Sequence, residues 1–173
     1  RGLNFEYLQQ ADRALESFDK SISQNDFPEE AYLRKGIVLN ILQRYQEAIH
    51  IFKKFLINND SVRLAHRLLA GTYLSFSRYD SAIIQLTELI KNDSTELDIY
   101  LDRASTYKFL KKYQEAENDY SYILRYKPYD LVTNCLLAEC KFLRGDTINA
   151  YRLLNTTWNK FNYLTESGHF IRG

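Results

Sequence analysis

The sequence contains few of the residues that mark the more specialised classes of protein. It has no methionine, one tryptophan, two prolines, two cysteines and six glycines among 173 residues. Lysine and arginine total 23 against 22 acidic residues, so the chain lacks the net positive charge that drives binding to nucleic acid or to anionic membranes. No apolar run approaches the roughly 18 residues that a membrane span needs. We therefore predict a folded domain that binds no nucleic acid and does not insert into a membrane.

Clusters of residues that usually carry chemistry are also absent from the sequence. Cys135 and Cys140 are five residues apart on a predicted helix, and two cysteines with that spacing cannot form a disulfide within a regular helix. His50, His66 and His169 share no metal-ligand spacing with one another or with the cysteines. There is no glycine-rich phosphate loop and no nucleophile elbow. We predict no catalytic residue, no metal site and no cofactor, and hence not an enzyme.

The chain begins with Arg1 rather than methionine, and we expect it to be a piece of a longer protein. Its first residues lack the charged-then-apolar pattern of a secretory signal. We expect a cytoplasmic location, although targeting signals can lie outside this piece.

What the sequence does contain is a period of 34 residues. The segment 44–52 is matched by the segment 78–86 and again by 112–120. Such a constant register indicates a repeat array. Alanine occupies one phase of every copy, at Ala14, Ala48, Ala82, Ala116 and Ala150.

Each copy predicts a pair of helices. Apolar residues such as Tyr45, Ala48 and Phe52 recur at helical spacing, and no alternating strand pattern occurs. Polar clusters at 58–61, 92–95 and 127–130 separate the pairs, and such short connections force neighbouring helices to be antiparallel. The predicted helices span 29–42 and 45–58, 62–76 and 79–92, 96–110 and 113–126, and 130–144 and 147–160, preceded by a pair at 1–10 and 11–24.

The repeats are expected to form one domain over residues 1–173. The tail aligns with the segment 30–36 after a one-residue insertion, so we interpret it as the opening of a further repeat. The expected repeats are a partial one at about 1–28, four complete ones at 29–62, 63–96, 97–130 and 131–164, and the start of a sixth at 165–173.

This unit resembles the tetratricopeptide repeat. With Glu29 as position 1, the small residue of that family at position 8 is Gly2, Gly36, Ala70, Ala104 and Ala138, and its alanine at position 20 is the series above. Its large residue at position 24 is Phe18, Phe52, Leu86, Tyr120 and Leu154. The sequence departs at position 4, where His66 and Asn134 replace an aromatic residue, and at position 32, where only Pro128 is proline. The resemblance implies an all-α fold, a right-handed superhelix of antiparallel helix pairs.

In that family the first helices of the pairs line a concave groove that receives a peptide, helix or loop of another protein. Here the groove positions are rich in Leu, Ile, Val and Phe, which favours an apolar partner segment. The alternative is that neighbouring helices bury these residues against each other. The cations either orient an acidic group of the partner or are simply solvated. The candidate groove residues are Leu33, Arg34, Ile37, Asn40, Ile41, Arg67, Leu74, Leu101, Ser105, Lys108, Phe109, Glu139 and Phe142.

Some members of the family bind the C-terminus of heat-shock chaperones through a carboxylate clamp, which requires Lys and Asn at positions 5 and 9 of one repeat. This chain has Leu33 and Ile37 there, or Arg67 and Gly71, so we predict no such clamp. Among the remaining polar residues, His66 is expected to be a packed core histidine because it fills the bulky position 4. Glu117 is expected on an outer helix face.

These patterns predict a protein–protein interaction scaffold without chemistry of its own. One alternative is the substrate-recruiting arm of a larger enzyme or co-chaperone. Another is an RNA-binding helical repeat, which the charge balance opposes, as does the usual period of about 35 residues in such repeats. Self-association through apolar faces of the terminal repeats also stays open.

Overall fold

The computed structural model describes residues 5–25, 28–57, 59, 62–92 and 95–170. Gly2, parts of the predicted turns at 58–61 and 92–95, and residues 171–173 lie outside these ranges. All regular structure in the described ranges is helical. The helices are α1 Phe5–Gln24, α2 Pro28–Ile41, α3 Tyr45–Leu56, α4 Arg63–Ser75, α5 Tyr79–Asn92, α6 Leu97–Phe109, α7 Tyr113–Tyr126, α8 Leu131–Leu143 and α9 Thr147–Phe170.

Packing groups the residues into two compact units, 1–89 and 90–173. We call them unit 1 and unit 2. Within unit 1, α2 packs on α1, α3 packs on α2, and α4 packs on α3. Within unit 2, the same succession runs from α6 to α9. The expected grouping of all repeats into one domain stays a prediction.

In unit 1, small residues stand where helices cross. Ala48 and Ala82 are completely buried, and Ala70 is nearly so. Gly36 on α2 faces the ring of Phe52 on α3 so closely that a Cβ at Gly36 would lie 2.3 Å from a ring carbon. Helices approach to within about 8–10 Å only where the residues at the contact are small. The prediction that positions 8 and 20 hold small residues for packing is confirmed here.

Unit 2 is built in the same way around a tyrosine. Ala104 and Ala116 are completely buried beside Tyr120, which is the largest fully buried side chain among the described residues. Tyr100 stacks on Tyr122 with 4.2 Å between the ring centroids. Large rings and small alanines thus alternate across the helix contacts, which lets the side chains interdigitate.

A left-handed residue recurs in the turn inside each of the four complete pairs. The backbone N–H after it bonds back five residues, from Arg44 to the carbonyl of Leu39 at 2.8 Å and from Asp146 to that of Lys141 at 2.9 Å. This is the bond of a Schellman motif, and it ends the first helix. The left-handed residues are Gln43, Ser77, Lys111 and Gly145, with φ of 59°, 58°, 60° and 90°.

The described part of the partial first repeat has no turn that divides it into two helices. Sequence reasoning predicted a break between residues 10 and 11, but α1 runs without interruption from Phe5 to Gln24. Gln9 is in phase with the left-handed residues, yet it is helical. Gln9, Gln10 and Ala11 are good helix formers. Ala11 also stands where Tyr45 follows the turn in the next repeat, so no large side chain is present to pack against a bend.

The last helix is also longer than predicted. The sequence placed its end near residue 160 and the opening of a sixth repeat at 165–173, but α9 continues from Thr147 to Phe170. Residues 165–170 therefore extend α9 instead of beginning a separate helix. The physical reason is that 161–164 reads Phe-Asn-Tyr-Leu, whereas the preceding connection at 127–130 contains Pro128 and the N-cap residue Asp130.

Ion pairs to buried carboxylates join helices in unit 2. Arg103 on α6 donates two hydrogen bonds to the buried carboxylate of Asp119 on α7, at 2.8 and 2.7 Å. Glu117 is also buried, and it accepts hydrogen bonds from Lys141 at 3.1 Å and Arg144 at 2.8 Å. The expectation that Glu117 lies on an outer face is wrong, because the following repeat supplies two cations that cover it.

Candidate protein-interaction surface

The exposed side of the first helices in unit 1, formed by α2 and α4, is the first part of the candidate surface. We call it the unit 1 face. Ile41 on α2 and Leu64 on α4 are more than half exposed, and Ile37 is somewhat less exposed. These three side chains occupy positions 13, 2 and 9 of the repeat. Isolated exposed apolar residues are common, but Ile37 and Ile41 are one helical turn apart on α2, so a partner can cover both together.

Two candidate leucines of unit 1 are not freely available. Leu33 and Leu74 are only partly exposed and pack against the buried cluster around Phe52. For these two residues, the structure matches the alternative in which neighbouring helices bury groove positions against each other. They support the unit 1 face from below instead of forming its outer layer.

Polar side chains link α2 and α4. The Nδ2 of Asn40 donates to Oγ1 of Thr72 at 2.7 Å, and that hydroxyl donates to the carbonyl of Leu68 at 2.7 Å. Among the described residues, Oδ1 of Asn40 is buried without a hydrogen-bond partner. Arg34 and Arg67 are exposed, and Arg34 donates to Glu30 at 2.6 Å. Asn40 is therefore a link between helices, whereas the two arginines lie at the surface.

The corresponding side of α6 and α8 forms the unit 2 face. Phe109 is 64% exposed and Phe142 is 59% exposed, and Val132 and Leu143 are also largely exposed. Val132 and Leu143 occupy positions 2 and 13 of the repeat, which also bear exposed residues in unit 1.

The remaining candidates of unit 2 are the half-buried Leu101 and Lys108 and the exposed Ser105 and Glu139. Lys108 on α6 donates to Oε2 of Glu139 on α8 at 2.7 Å. Burial lowers the pKa of Lys108, but the hydrogen bond and the charge of Glu139 outweigh burial and raise it. The hydroxyl of Ser105 lies 3.4 Å from that of Tyr120. Leu101 is partly buried and packs against the core.

The position of a residue within the 34-residue repeat explains which candidates are exposed. In all four complete repeats the residues at positions 2, 9 and 13 are exposed. Position 12 is half-buried in three repeats, where Asn40 and Lys108 each reach the next first helix, and exposed in the last repeat at Phe142. Seven candidates thus lie on the first helices of unit 1 and six on those of unit 2.

Two side chains that often carry chemistry, Cys140 and His66, are buried or hydrogen-bonded here. Burial raises the pKa of the Cys140 thiol to about 11, which makes it a poor nucleophile. His66, half-buried as expected of a packed histidine, pairs its Nδ1 with Oε1 of Gln85 at 2.8 Å. In the described ranges, no three His, Cys, Asp or Glu residues are grouped to hold a metal ion. Nor does any helix of that part have the length and apolar composition needed to cross a bilayer.

Known proteins resemble this chain both in sequence and in fold. Human tetratricopeptide repeat protein 16 is 26% identical over 129 residues, which are 68% of this chain and 15% of that protein. The chain therefore spans a small part of this relative. Among solved structures, MamA superimposes with a TM-score of 0.77 at 17% identity and covers 91% of this chain and 86% of its own. YrrB, described as a TPR protein with an unusual peptide-binding site, has a TM-score of 0.65 at 15% identity over 83% and 74%.

These similarities confirm an all-α solenoid fold built from helix pairs. A family profile described as tetratricopeptide repeat matches residues 1–62 and 42–96, and a second profile of the same description matches residues 97–130. Together the matches cover most of the chain, including the three middle repeats on which the resemblance is strongest. The chain belongs to the tetratricopeptide repeat family.

Proposed function

We propose that the chain is a protein-interaction scaffold whose first-helix faces bind a segment of another protein. The observation that carries this proposal is the contrast between the buried alanine crossings and the exposed bulky residues of the same helix pairs. Ala48 and Ala116 are fully buried, while Ile41 and Phe109 on the preceding first helices are more than half exposed. The description of YrrB as peptide-binding supports this use of the fold.

The energetics of such binding rest on a few side chains. Covering a largely exposed phenylalanine or isoleucine contributes about 1.5–3 kcal/mol at most. Binding also costs translational, rotational and side-chain freedom, so several anchors must act together. Each face supplies them: Ile37, Ile41 and Leu64 in unit 1, and Phe109 and Phe142 with their neighbours in unit 2. We therefore expect charge substitutions at these anchors to weaken binding strongly.

A random-sequence peptide array probed with the whole chain tests this proposal. Ile41→Glu and Phe109→Glu alter one exposed anchor on each face. Ile84→Glu and Ile148→Glu are matched controls, because these isoleucines are also largely exposed but lie on second helices. We expect peptides that bind the unchanged chain and the controls, and that lose at least tenfold in affinity for one of the face variants.

Circular dichroism must show the same helical content in all five proteins. If every bound peptide binds the face variants and the control variants equally, the first-helix faces do not form the binding site and the proposal fails. If no peptide in the array binds the unchanged chain, a short-segment scaffold is also the wrong description.

Self-association is a second candidate function, and α9 carries the observation that favours it. Leu154 is 42% exposed, whereas Phe52 and Tyr120 at the same repeat position are fully buried. Tyr151 and Trp158 on the same helix are also largely exposed. Phe5 is the apolar candidate in the other terminal repeat, but its side chain lies outside the described residues. Analytical ultracentrifugation over a concentration series, with Trp158→Glu as the variant, tests whether α9 packs on a second copy.

Three further expectations stay predictions. A role as the recruiting arm of a larger enzyme or co-chaperone is compatible with both faces, and assays of the longer protein would test it. RNA binding is disfavoured by the balance of 23 basic and 22 acidic residues. A cytoplasmic location is proposed on the sequence argument alone.

A further inference from the structure

The two first-helix faces carry opposite charge. At the repeat positions that form the faces, unit 1 has Arg34 and Arg67 against Glu30. In unit 2 the balance reverses, with Asp98, Asp102 and Glu139 against Lys108. Residues of both faces are largely at the surface, where fixed charges steer the approach of a partner and select against partners of like charge. The faces are therefore suited to different segments.

Lys108, the cation at these positions of unit 2, is paired with Glu139. Lys108 donates to Glu139 at 2.7 Å, and its side chain is only 23% exposed, whereas that of Glu139 is 50% exposed. A partner approaching this face consequently meets the carboxylate more readily than the ammonium group. Asp98 and Asp102 are one helical turn apart on α6, and both are exposed. At these repeat positions of unit 2, three carboxylates therefore accompany one cation.

The apolar anchors lie next to Lys108 and Glu139 in the sequence. Phe109 follows Lys108 directly, and Phe142 is one turn beyond Glu139 on α8. Both rings are more than half exposed. Exposed aromatic rings attract guanidinium and ammonium groups as well as apolar side chains, since the ring face carries partial negative charge. Aromatic anchors and carboxylates on one surface therefore favour the same kind of partner residue.

We infer that the unit 2 face binds a protein segment in which bulky apolar side chains are flanked by arginine or lysine. This inference rests on the proposed function and names the partner chemistry of one of its two faces. The apolar side chains cover Phe109 and Phe142, and a flanking base pairs with Glu139. Arginine suits this role better than lysine because its planar guanidinium can both stack on a ring and bond a carboxylate.

The peptide array supplies the probe, because it assumes no conformation for the partner. The relevant peptides are those that bind the unchanged chain but do not bind the Phe109→Glu variant. We expect these peptides to carry a net positive charge. The best of them is then synthesised in two forms, one unchanged and one with every Arg and Lys replaced by Glu, and fluorescence anisotropy compares their affinities for the whole chain.

The unchanged peptide should bind at least tenfold more tightly than its acidic form, and the preference should shrink at high salt. Glu139→Lys should reduce or reverse the preference. Glu115→Lys is the matched control, because Glu115 is an exposed acid on the second helix α7 and its variant changes the net charge by the same amount. This control should leave the preference unchanged.

The outcomes separate this inference from the proposed function. If Phe109-dependent peptides are found but are neutral or acidic, or if Glu139→Lys and Glu115→Lys behave alike, the inference is overturned while the scaffold function stands. If the array yields no peptide that depends on Phe109, the inference also fails. If no peptide depends on any residue of either face, both proposals fall together.

Discussion

At the scale of single residues, three glycines of this repeat array serve different purposes. Gly36 faces Phe52 in the unit 1 core, Gly71 is helical with open space where a Cβ would lie, and Gly145 has a φ of 90° in the last intra-pair turn. Composition treats these residues as equivalent. Their surroundings make the same substitution harmful at two of them and favourable at the third.

Replacing each glycine with alanine should separate these roles. Gly36→Ala should destabilise the fold by about 1–3 kcal/mol because the ring of Phe52 must move. Gly145→Ala should cost about 1 kcal/mol because alanine disfavours the left-handed conformation. Gly71→Ala should instead stabilise by roughly 0.5–1 kcal/mol through its higher helix propensity. Urea unfolding measures all three, and a uniform effect of the three substitutions would contradict this account.

The two thiols give a second test at this scale. Cys140 is fully buried with its pKa raised to about 11, while Cys135 is exposed on α8. A thiol reagent such as Ellman's reagent at pH 8 should therefore modify Cys135 quickly and Cys140 only after unfolding, because thiolate is the reactive form. Mass spectrometry of peptides identifies the modified residue. Rapid modification of Cys140 in the folded chain would show that its burial is wrong.

At the scale of elements, the start of α8 shows how a helix end is fixed. The carboxylate of Asp130 accepts the backbone N–H of Thr133 at 2.8 Å. Hydrogen bonds from Thr133 lower the pKa of Asp130 below its usual 3.8. A carboxyl group with a lowered folded pKa stabilises the fold above its unfolded pKa, and that contribution is lost as the pH falls through the folded value.

Asp130→Ala should thus cost about 1 kcal/mol at neutral pH, as loss of an N-cap does. The difference between variant and unchanged chain should diminish as the pH falls below about 4. Urea unfolding at several pH values measures it. A difference that stays constant down to pH 2 would mean that the carboxylate is not the stabilising group.

Packing between elements also depends on Glu117. This buried carboxylate of α7 is bonded by Lys141 and Arg144 of the next repeat. Glu117→Ala leaves those two cations without their partner and should cost about 2 kcal/mol, since hydrogen bonds to charged groups are the stronger ones. Glu115→Ala, two residues away but exposed, should change stability by less than about 0.5 kcal/mol. Equal effects in urea unfolding would contradict the burial of Glu117.

At the scale of the whole molecule, the repeat period was the most informative feature of the sequence. It predicted the bounds of α2 to α8 to within about two residues, because the alanine at position 20 and the turn residues recur at the same 34-residue spacing. It failed for α1 and α9, where no local breaker or packing residue marks a turn. It could not place Glu117 either, since its cations are 24 and 27 residues away in the sequence.

The candidate surface was only partly predictable for the same reason. Residues at positions 9 and 13, such as Ile37 and Phe109, are exposed as expected. Leu33, Leu74 and Leu101 are partly buried because each packs on the core of its own unit. Hydrophobicity does not distinguish a leucine that supports a face from one that forms it. That distinction depends on how closely neighbouring helices approach.

The central claim is that the first helices, and not the second, bind the partner. Its most direct test is a methyl NMR titration of the labelled whole chain with the best peptide from the array. We predict that shift changes concentrate at Ile37, Ile41 and Leu64, or at Val132 and Leu143, while Ile84 and Ile148 on second helices stay unchanged. Shifts that concentrate at Ile84 or Ile148, with the first-helix methyls unaffected, would contradict the account.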